Sequence, residues 1–516
     1  MVDFLKKVKY QAKYIKEYNL PVLSIFHKNR IWIVELILIS IALAFGLFGL
    51  DRSPTAWYDE TYYNEIAYQL AFHGKLASGV EPGFLFREEI YLGPPLHPFI
   101  QSLVFRIFDV GIWQVRISCL FFYILTGLLI FFATSIYFKN QIAGILTSAL
   151  YLFDPAVVKS WRSGRQDAMA IMFGILALLF ILYVISYQKA LSKRKFLILV
   201  FLAGITGGMA CMTHPNSLSF VITGLIFLVF GLKSWNLRIQ SVAYYAIGGI
   251  LGLLPWIFII LLNKDIFLKQ GLAASSHNSS LINFVPGLIK QAKHLISTYK
   301  IFPLLILTQI LGFIYGFFSS KYRLFSFAGC WVLLLYFLVI HNSHPIPYVV
   351  SVLILGVGSL VYFFRIDESF KAKRSKLITA FFILIFISCF SVVSLRAFTI
   401  IWQWEGRSYN MLIEEWQDKI KQGSSVAAPA ACWYASLKND NDYRFNRITS
   451  GIATRKDQNK YQKLLIQDKV EYLIIPSNHR LSRYLPKEHI NLFTHIDEIH
   501  RPVRKLTGIQ IETYNF

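Results

Sequence analysis

Long apolar runs alternate with short polar segments along the first 400 residues of the 516-residue chain. Since a membrane-spanning helix needs about 20 apolar residues, the pattern predicts about eleven transmembrane helices. These predicted spans cover residues 31–50, 117–138, 142–158, 168–187, 196–212, 218–232, 242–262, 303–319, 324–340, 349–364 and 377–398. The pattern is typical of a polytopic α-helical membrane protein.

Residues 51–116, between the first two spans, are too polar to cross a membrane and are rich in acidic residues. Two segments within them, 61–73 and 95–108, have apolar residues at helical spacing. The second is only about 14 residues long and contains Arg106, so it is too short to span. We expect both segments to be in-plane helices on the outer membrane surface.

The basic residues support this threading. Lys and Arg cluster in short loops between the apolar runs, where the positive-inside rule places the cytoplasm. The N-terminus is then cytoplasmic, and residues 51–116, 263–301 and the C-terminal tail are extracytoplasmic, in a plasma or inner membrane. The formal charge of +23 is spread over these loops rather than along one soluble face, so nucleic acid is not an expected partner.

Composition excludes a soluble globular chain. Charged residues make up 16% of the sequence and hydrophobic residues 55%, whereas soluble domains carry about 25% charged residues. The five cysteines show no spacing typical of a zinc site, and four of them lie in or beside apolar segments. A disulfide framework is therefore not expected.

The hydropathy drops after residue 400, which divides the chain into a transmembrane part, 1–400, and a tail, 401–516. The tail has strand-like runs at 425–428 and 472–475 and an amphipathic helix near 408–420. Residues 468–476 have the pattern of a buried parallel strand. These features predict a small extracytoplasmic α/β domain.

The first outer segment contains the sequence Trp57-Tyr58-Asp59-Glu60-Thr61-Tyr62-Tyr63. Adjacent carboxylates flanked by aromatic rings suit proton transfer at a sugar, because a carboxylate can accept a hydroxyl proton and aromatic faces stack on sugar rings. The alternative is an ordinary helix start, since aspartate is a good N-cap and early acids favour the helix dipole.

Further candidates lie in the other predicted outer loops. Glu88 and Glu89 precede a Pro-Pro turn and His97, a pattern that also fits a plain surface loop. Arg162 and Arg165 suit a phosphate, or else they are interfacial cations that reach for the membrane surface. His214, in a Thr-His-Pro-Asn turn, is a candidate or a polar cap. His341, His344 and Tyr348 form a last set, for which spacing alone gives no metal geometry.

Three short motifs occur in order on the same side: Asp59-Glu60, Pro94-Pro95-Leu96 and Arg165-Gln166-Asp167. Over roughly residues 30–220 the chain thereby resembles the protein O-mannosyltransferases and the bacterial aminoarabinose transferases of lipid A, which have the GT-C fold. The resemblance implies an inverting glycosyltransferase that moves a sugar from a polyprenyl-phosphate donor to a hydroxyl of a protein, glycolipid or glycan acceptor.

The resemblance also implies roles for the candidates. Asp59 would be the general base, and Glu60 would bind the acceptor or orient the pair. Arg165, with Arg162 and His214, would bind the lipid phosphate. The expected substrate-binding residues are Tyr62, Tyr63, Glu88, Glu89, His97, Asp167, His341, His344 and Tyr348. A divalent metal is left open.

The main alternative is a flippase or transporter of lipid-linked sugars. Transporters usually keep ionisable residues in the middle of the membrane, whereas these predicted spans hold few and the charges gather at the outer face. That distribution favours an enzyme.

Overall fold

The computed structural model describes residues 31–54, 56, 58–80, 90–91, 93–277, 293, 295–318, 323–339, 346–360, 371–402, 404, 408–445, 470–476 and 495–499. The helices, numbered along the chain, are α1 (Ile31–Leu47), α2 (Tyr58–His73), α3 (Leu96–Phe108), α4 (Ile112–Phe138), α5 (Gln141–Leu152), α6 (Pro155–Arg162), α7 (Asp167–Ser186), α8 (Lys193–Thr213), α9 (Leu218–Gly231), α10 (Trp235–Leu262), α11 (Lys264–His277), α12 (Pro303–Phe318), α13 (Arg323–Val339), α14 (Ile346–Val357), α15 (Lys371–Trp402), α16 (Tyr409–Lys419) and α17 (Trp433–Lys438). The strands are β1 (Ser425–Ala428), β2 (Asp442–Phe445), β3 (Tyr472–Pro476) and β4 (His495–Ile499).

A helix lies at each of the eleven predicted span positions. Five described helices or helix segments are long and apolar enough to cross a membrane alone: α4, α7, α8, α10 and residues 383–402 of α15. The predicted span 142–158 is two helices, α5 and α6, which meet at a bend of 55° and together form a sixth candidate. The remaining five, α1, α9, α12, α13 and α14, are apolar but shorter.

The bend between α5 and α6 is fixed by one buried carboxylate. Asp154 Oδ1 accepts the backbone N–H groups of Ala156 at 2.8 Å and Val157 at 3.1 Å, so it caps α6. Its Oδ2 accepts the Tyr299 hydroxyl at 2.7 Å and the Gln309 amide at 3.2 Å. The cap starts a new helix direction, which carries Arg162 towards the end of α1.

Helices α8 and α10 are in close backbone contact through glycines. A Cβ atom added to Gly208 would lie 2.3 Å from the Gly249 carbonyl oxygen, and one added to Gly248 would lie 2.2 Å from the Phe201 carbonyl oxygen. Small residues spaced four apart allow this approach between membrane helices. The contact fixes α8, whose C-terminal end carries His214.

The two helices of the acidic segment pack on each other. Helix α2 begins at Tyr58, three residues before the predicted start, so Asp59 and Glu60 lie in its first turn. The Arg106 side chain of α3 donates to the backbone carbonyls of Ala71 at 3.0 Å and Leu70 at 3.3 Å, which joins α3 to the end of α2.

The C-terminal region forms a four-stranded parallel sheet in the order β2-β1-β3-β4. The strand predictions at 425–428 and 472–475 and the helix near 408–420 are confirmed, whereas β2 and β4 are absent from the sequence-based prediction. One buried cluster joins this region to the acidic segment, since Trp416 and Trp433 share it with Ala67 and Phe105. The division of the chain at residue 400 stays a prediction.

Candidate functional site

Two carboxylates and one guanidinium meet where α2 and α7 begin. Arg165 Nη2 lies 3.4 Å from Asp59 Oδ2, and Arg165 Nε lies 3.0 Å from Asp167 Oδ2. Asp59 is in the first turn of α2, Asp167 is the first residue of α7, and Arg165 lies in the turn between α6 and α7. Residues more than 100 positions apart thus form one cluster, named here the Asp59 cluster.

Asp59 is the accessible member of this cluster. Its side chain is 26% exposed, against 9% for Arg165 and 1% for Asp167. Burial raises the pKa of Asp59 above its ordinary value, and the Asp167 charge acts in the same direction, while Arg165 opposes the shift. A carboxylate that is partly exposed and less acidic than usual suits the acceptance of a proton.

Asp167 is held on every side. The Tyr348 hydroxyl donates to its Oδ1 at 2.7 Å, and the Ser160 hydroxyl donates to its Oδ2 at 3.0 Å. Arg165 adds an ion pair to these two hydrogen bonds. Asp167 and Tyr348 therefore position the guanidinium, and Tyr348 is buried rather than open to a sugar.

Glu60 points away from Asp59 and into the protein. Its two oxygens accept hydrogen bonds from Arg116 Nε and Nη2, both at 3.0 Å, and neither side chain of this pair is exposed. The Tyr434 hydroxyl from the sheet region donates to Glu60 Oε1 at 3.2 Å. Direct acceptor binding by Glu60 does not fit this geometry, whereas orientation of the neighbouring Asp59 does.

The backbone around this ion pair needs a glycine. Gly164 has a φ of +64°, and a Cβ atom there would lie 2.9 Å from Glu60 Cγ and 2.6 Å from a Val115 methyl carbon. The Asn64 amide donates to the Gly164 carbonyl at 3.2 Å. The turn that carries Arg165 is therefore packed directly on α2.

The prediction that Arg162 binds phosphate is wrong. Its guanidinium donates five hydrogen bonds, at 2.9–3.1 Å, to backbone carbonyls that follow or end α1: those of Phe45, Gly46, Phe48, Gly49 and Ser53. A guanidinium has five N–H groups, so all of them are used. Arg162 caps the C-terminal end of α1.

His214 lies next to the Asp59 cluster, with its ring 5.3 Å from that of Tyr348. Nδ1 accepts the Asn216 backbone N–H at 3.0 Å, which leaves the proton of a neutral ring on Nε2. Burial and then the Arg165 charge lower the His214 pKa to about 4, against the opposing charge of Asp167. At neutral pH His214 would meet a phosphate as a neutral N–H donor.

The chain is similar to known proteins both in sequence and in fold. Residues 93–260 match the family described as dolichyl-phosphate-mannose-protein mannosyltransferase. ArnT from Cupriavidus metallidurans, in a crystal structure bound to undecaprenyl phosphate, has a TM-score of 0.56 at 14% identity over 84% of this chain and 91% of that one. No curated protein sequence matches this chain significantly.

The oligosaccharyltransferase of Archaeoglobus fulgidus is similar in two solved structures. Its apo form has a TM-score of 0.52 at 12% identity, over 87% of this chain and 70% of that one. Its complex with an inhibitory peptide and a dolichol-phosphate, named AglB, has a TM-score of 0.51 at 11% identity, over 85% and 69%. The chain has the GT-C fold.

The fold and the family match over residues 93–260 confirm the predicted resemblance to the superfamily of the protein O-mannosyltransferases and ArnT. They also confirm a multi-pass helical membrane protein with a small C-terminal region. In this GT-C fold the Asp59 cluster lies where α2 and α7 begin.

The other predicted residues of the GT-C site have different surroundings. Tyr63 lies against Gln166 and the Asp59 cluster. His97, at the start of α3, is buried within reach of the Asp167 charge. Tyr62 stacks on Tyr58, with ring centroids 5.7 Å apart, and packs against the buried cluster of the sheet region.

Four predicted residues, Glu88, Glu89, His341 and His344, lie outside the described residues. Among the residues that the structure does describe, no three His, Cys, Asp or Glu side chains lie close enough to hold a metal ion. The described acids of the GT-C site are instead paired with arginines. These described acids do not by themselves fit a metal centre.

Sequence reasoning missed two partners of the GT-C site, Arg116 and Tyr434. Arg116 lies at the edge of a predicted span, on its predicted outer side, where the positive-inside rule disfavours basic residues, and that position was a usable signal. Tyr434 had no such signal, because its contact with Glu60 joins residues 374 positions apart.

Proposed function

We propose that the chain is an inverting glycosyltransferase that takes a sugar from a polyprenyl-phosphate donor and moves it to an acceptor hydroxyl at the extracytoplasmic membrane face. The observation that carries the proposal is the Asp59 cluster, in which an accessible carboxylate lies 3.4 Å from a mostly buried guanidinium. The two groups have the chemistry required at the two ends of a glycosyl transfer.

The guanidinium of Arg165 would stabilise the leaving phosphate. As the bond between the anomeric carbon and the phosphate oxygen breaks, the phosphate leaves with the electron pair, and a nearby cation stabilises the added charge. Arg165 is held by Asp167 beside the first turn of α7, where backbone N–H groups also favour an anion. The ArnT and AglB structures contain undecaprenyl phosphate and dolichol-phosphate, which supports a lipid phosphate as the ligand.

The carboxylate serves the acceptor. Asp59 would take the proton of the acceptor hydroxyl. The oxygen of that hydroxyl would at the same time form the new bond to the anomeric carbon. A double displacement would need a second carboxylate as nucleophile at about 5–5.5 Å. The other carboxylate of the cluster, Asp167, is 1% exposed, accepts hydrogen bonds from Ser160 and Tyr348, and forms an ion pair with Arg165. This arrangement supports a single displacement with inversion.

The side of the membrane follows from charge. The basic loops of the predicted threading lie at the opposite helix ends from Asp59, and the sheet region lies on the Asp59 side through Tyr434. We therefore propose an extracytoplasmic site. A reporter fused after Phe516 should be extracytoplasmic in intact cells, and a cytoplasmic reporter would contradict the threading.

The activity test uses purified protein and a panel of polyprenyl-phosphate-linked sugars with peptide, glycolipid and glycan acceptors. Consumption of one donor by the unchanged protein, and its loss in Asp59→Asn, would support the proposal. The matched control is Asp51→Asn, an acid of the same segment that lies 4.0 Å from Arg52 and outside the cluster. No consumption of any donor, or equal activity in Asp59→Asn, would refute it.

A further inference from the structure

Three buried side chains near the Asp59 cluster each have one atom without a hydrogen-bond partner within the described part of the chain. These atoms are His97 Nδ1, Gln101 Nε2 and Gln166 Oε1. Each residue is 1% exposed. A buried polar atom left unpaired costs about 1–3 kcal/mol, so three of them together indicate a partner that the described chain does not supply.

The three residues come from elements that converge. His97 and Gln101 are four residues apart on α3 and so share one face of that helix. The start of α3 packs between the start of α7 and the end of α8, because Leu96 contacts the cluster that contains Met169 and Met212.

The same end of the bundle contains the Asp59 cluster. His97 is within reach of the Asp167 charge, and Gln166 directly precedes Asp167 in the chain. His97 and Gln166 therefore lie beside the cluster, and Gln101 lies one helical turn along α3 from His97.

Two of the side chains are held in fixed orientations by other contacts. Gln101 Oε1 lies 2.7 Å from the Ser118 hydroxyl, which also lies 2.8 Å from the Val115 carbonyl oxygen, and Gln101 Nε2 is the unpaired end. Tyr63 hydrogen-bonds the Gln166 side chain, whose Oε1 is the unpaired end. The unpaired groups are therefore one donor, Gln101 Nε2, one acceptor, Gln166 Oε1, and one imidazole nitrogen, His97 Nδ1.

We propose that His97, Gln101 and Gln166 form the subsite for the hydroxyl groups of the transferred sugar, and that this sugar carries no charge. The inference rests on the proposed function, since that function brings the sugar next to Arg165. Hydroxyl groups both donate and accept, so they satisfy a mixed set of neutral donors and acceptors.

The electrostatics of the subsite support an uncharged sugar. Burial lowers the His97 pKa to about 4, against the pull of Asp167, so the ring is neutral at pH 7. Gln101 and Gln166 are neutral, and the carboxylates of Asp59 and Asp167 already face Arg165. A sugar ammonium or carboxylate in the subsite would lose its hydration, and the nearby charges of Arg165, Asp59 and Asp167 are already paired with one another.

The test measures binding of two probes, polyprenyl-phosphate mannose and sugar-free polyprenyl phosphate, to Gln101→Met and Gln166→Met. Each variant should bind the sugar-bearing lipid about ten-fold more weakly, since an unmade buried hydrogen bond costs about 1–3 kcal/mol. Binding of the sugar-free lipid should stay within about two-fold, which also shows that the variant is folded. Gln240→Met, at the far end of α10, is the control.

The outcomes separate the two proposals. If the unchanged protein binds neither lipid, the proposed function fails and the subsite fails with it. If the unchanged protein binds both lipids, and the variants either match it or lose both lipids equally, only the subsite is refuted. Transfer of an aminopentose or a uronic acid as fast as a neutral hexose would overturn the uncharged class.

Discussion

The adjacent residues Asp59 and Glu60 should give opposite phenotypes when each carboxylate is replaced by its amide. Asp59 is 26% exposed and has one ion pair, with Arg165. Glu60 is fully buried and receives two hydrogen bonds from Arg116 and one from Tyr434. We expect Asp59→Asn to remove transfer without unfolding the protein, and Glu60→Gln to destabilise it.

The magnitudes follow from these surroundings. A positioned general base contributes about 10²–10⁴-fold to a rate, so Asp59→Asn should lower kcat by that factor. Removal of one partner from a buried ion pair costs about 3–5 kcal/mol, because the other charge stays buried and uncompensated. In Glu60→Gln that charge is Arg116, which keeps its bonds to the carbonyls of Leu50 and Pro54, both at 2.7 Å, but loses its counter-charge.

The assay pairs initial transfer rates with the fraction of protein that stays monodisperse in detergent after heating. The double variant Glu60→Met with Arg116→Met should recover part of the stability lost in Glu60→Gln, since no unpaired charge remains. If Glu60→Gln is as heat-stable as the unchanged protein yet inactive, then Glu60 acts in the chemistry and the positioning role is wrong. If Asp59→Asn unfolds, the contrast between the two residues is also wrong.

Four further predictions concern the same region. Arg165→Gln should raise the apparent KM for the lipid donor about 10–100-fold in initial-rate measurements, since a hydrogen bond to a charged group contributes about 1.5–3 kcal/mol; an unchanged KM would exclude phosphate binding. Arg162→Met should lower thermal stability but leave the KM of the folded fraction unchanged, because the five hydrogen bonds of Arg162 go to backbone carbonyls at and after the end of α1. A raised KM for the lipid donor would instead indicate that Arg162 binds the phosphate. Tyr434→Phe should cost about 1 kcal/mol in a denaturant titration through loss of its 3.2 Å bond to Glu60, and no change would show that the contact is unimportant. The pH profile of kcat/KM should fall towards acid with a midpoint above 3.8, because Asp59 must be deprotonated and burial raises its pKa, and a profile flat to that value would contradict the base assignment.

The helical part of the fold was readable from the sequence because each span depends on local apolarity. All eleven predicted spans coincide with helices, including α1 and α14, which are shorter than a full crossing. The bend after α5 was missed, since it depends on Asp154, whose partners Tyr299 and Gln309 are about 150 residues away. Strands β2 and β4 were missed for a different reason, because each pairs in parallel with the strand before it through a crossover, which has no hairpin turn signal.

The site was predictable where a motif concentrates chemistry, and not where burial decides a role. The sequence motifs indicated both Asp59 and Arg165 as site residues, although they are about 100 positions apart in the chain. In the structure Asp59 Oδ2 lies 3.4 Å from Arg165 Nη2. Glu60 was grouped with Asp59 because the two are neighbours in sequence. In a helix, adjacent side chains point about 100° apart, so only one of them faces the cluster.

Arg162 and Arg165 show the same limit from the side of charge. Both are basic residues on the face where the positive-inside rule disfavours them, so the rule marks both as unusual without saying why. The two arginines are three positions apart but contact different groups. Arg162 ends α6 and donates to carbonyls at the end of α1. Arg165 follows Gly164, which has a positive φ, and contacts Asp59. A helix end that lacks acceptors for its last carbonyls must find donors, and a membrane protein can supply them with a guanidinium. An arginine on the predicted outer face therefore indicates a group that binds positive charge. Only the geometry shows whether that group is part of the fold, such as the carbonyls at a helix end, or part of a ligand.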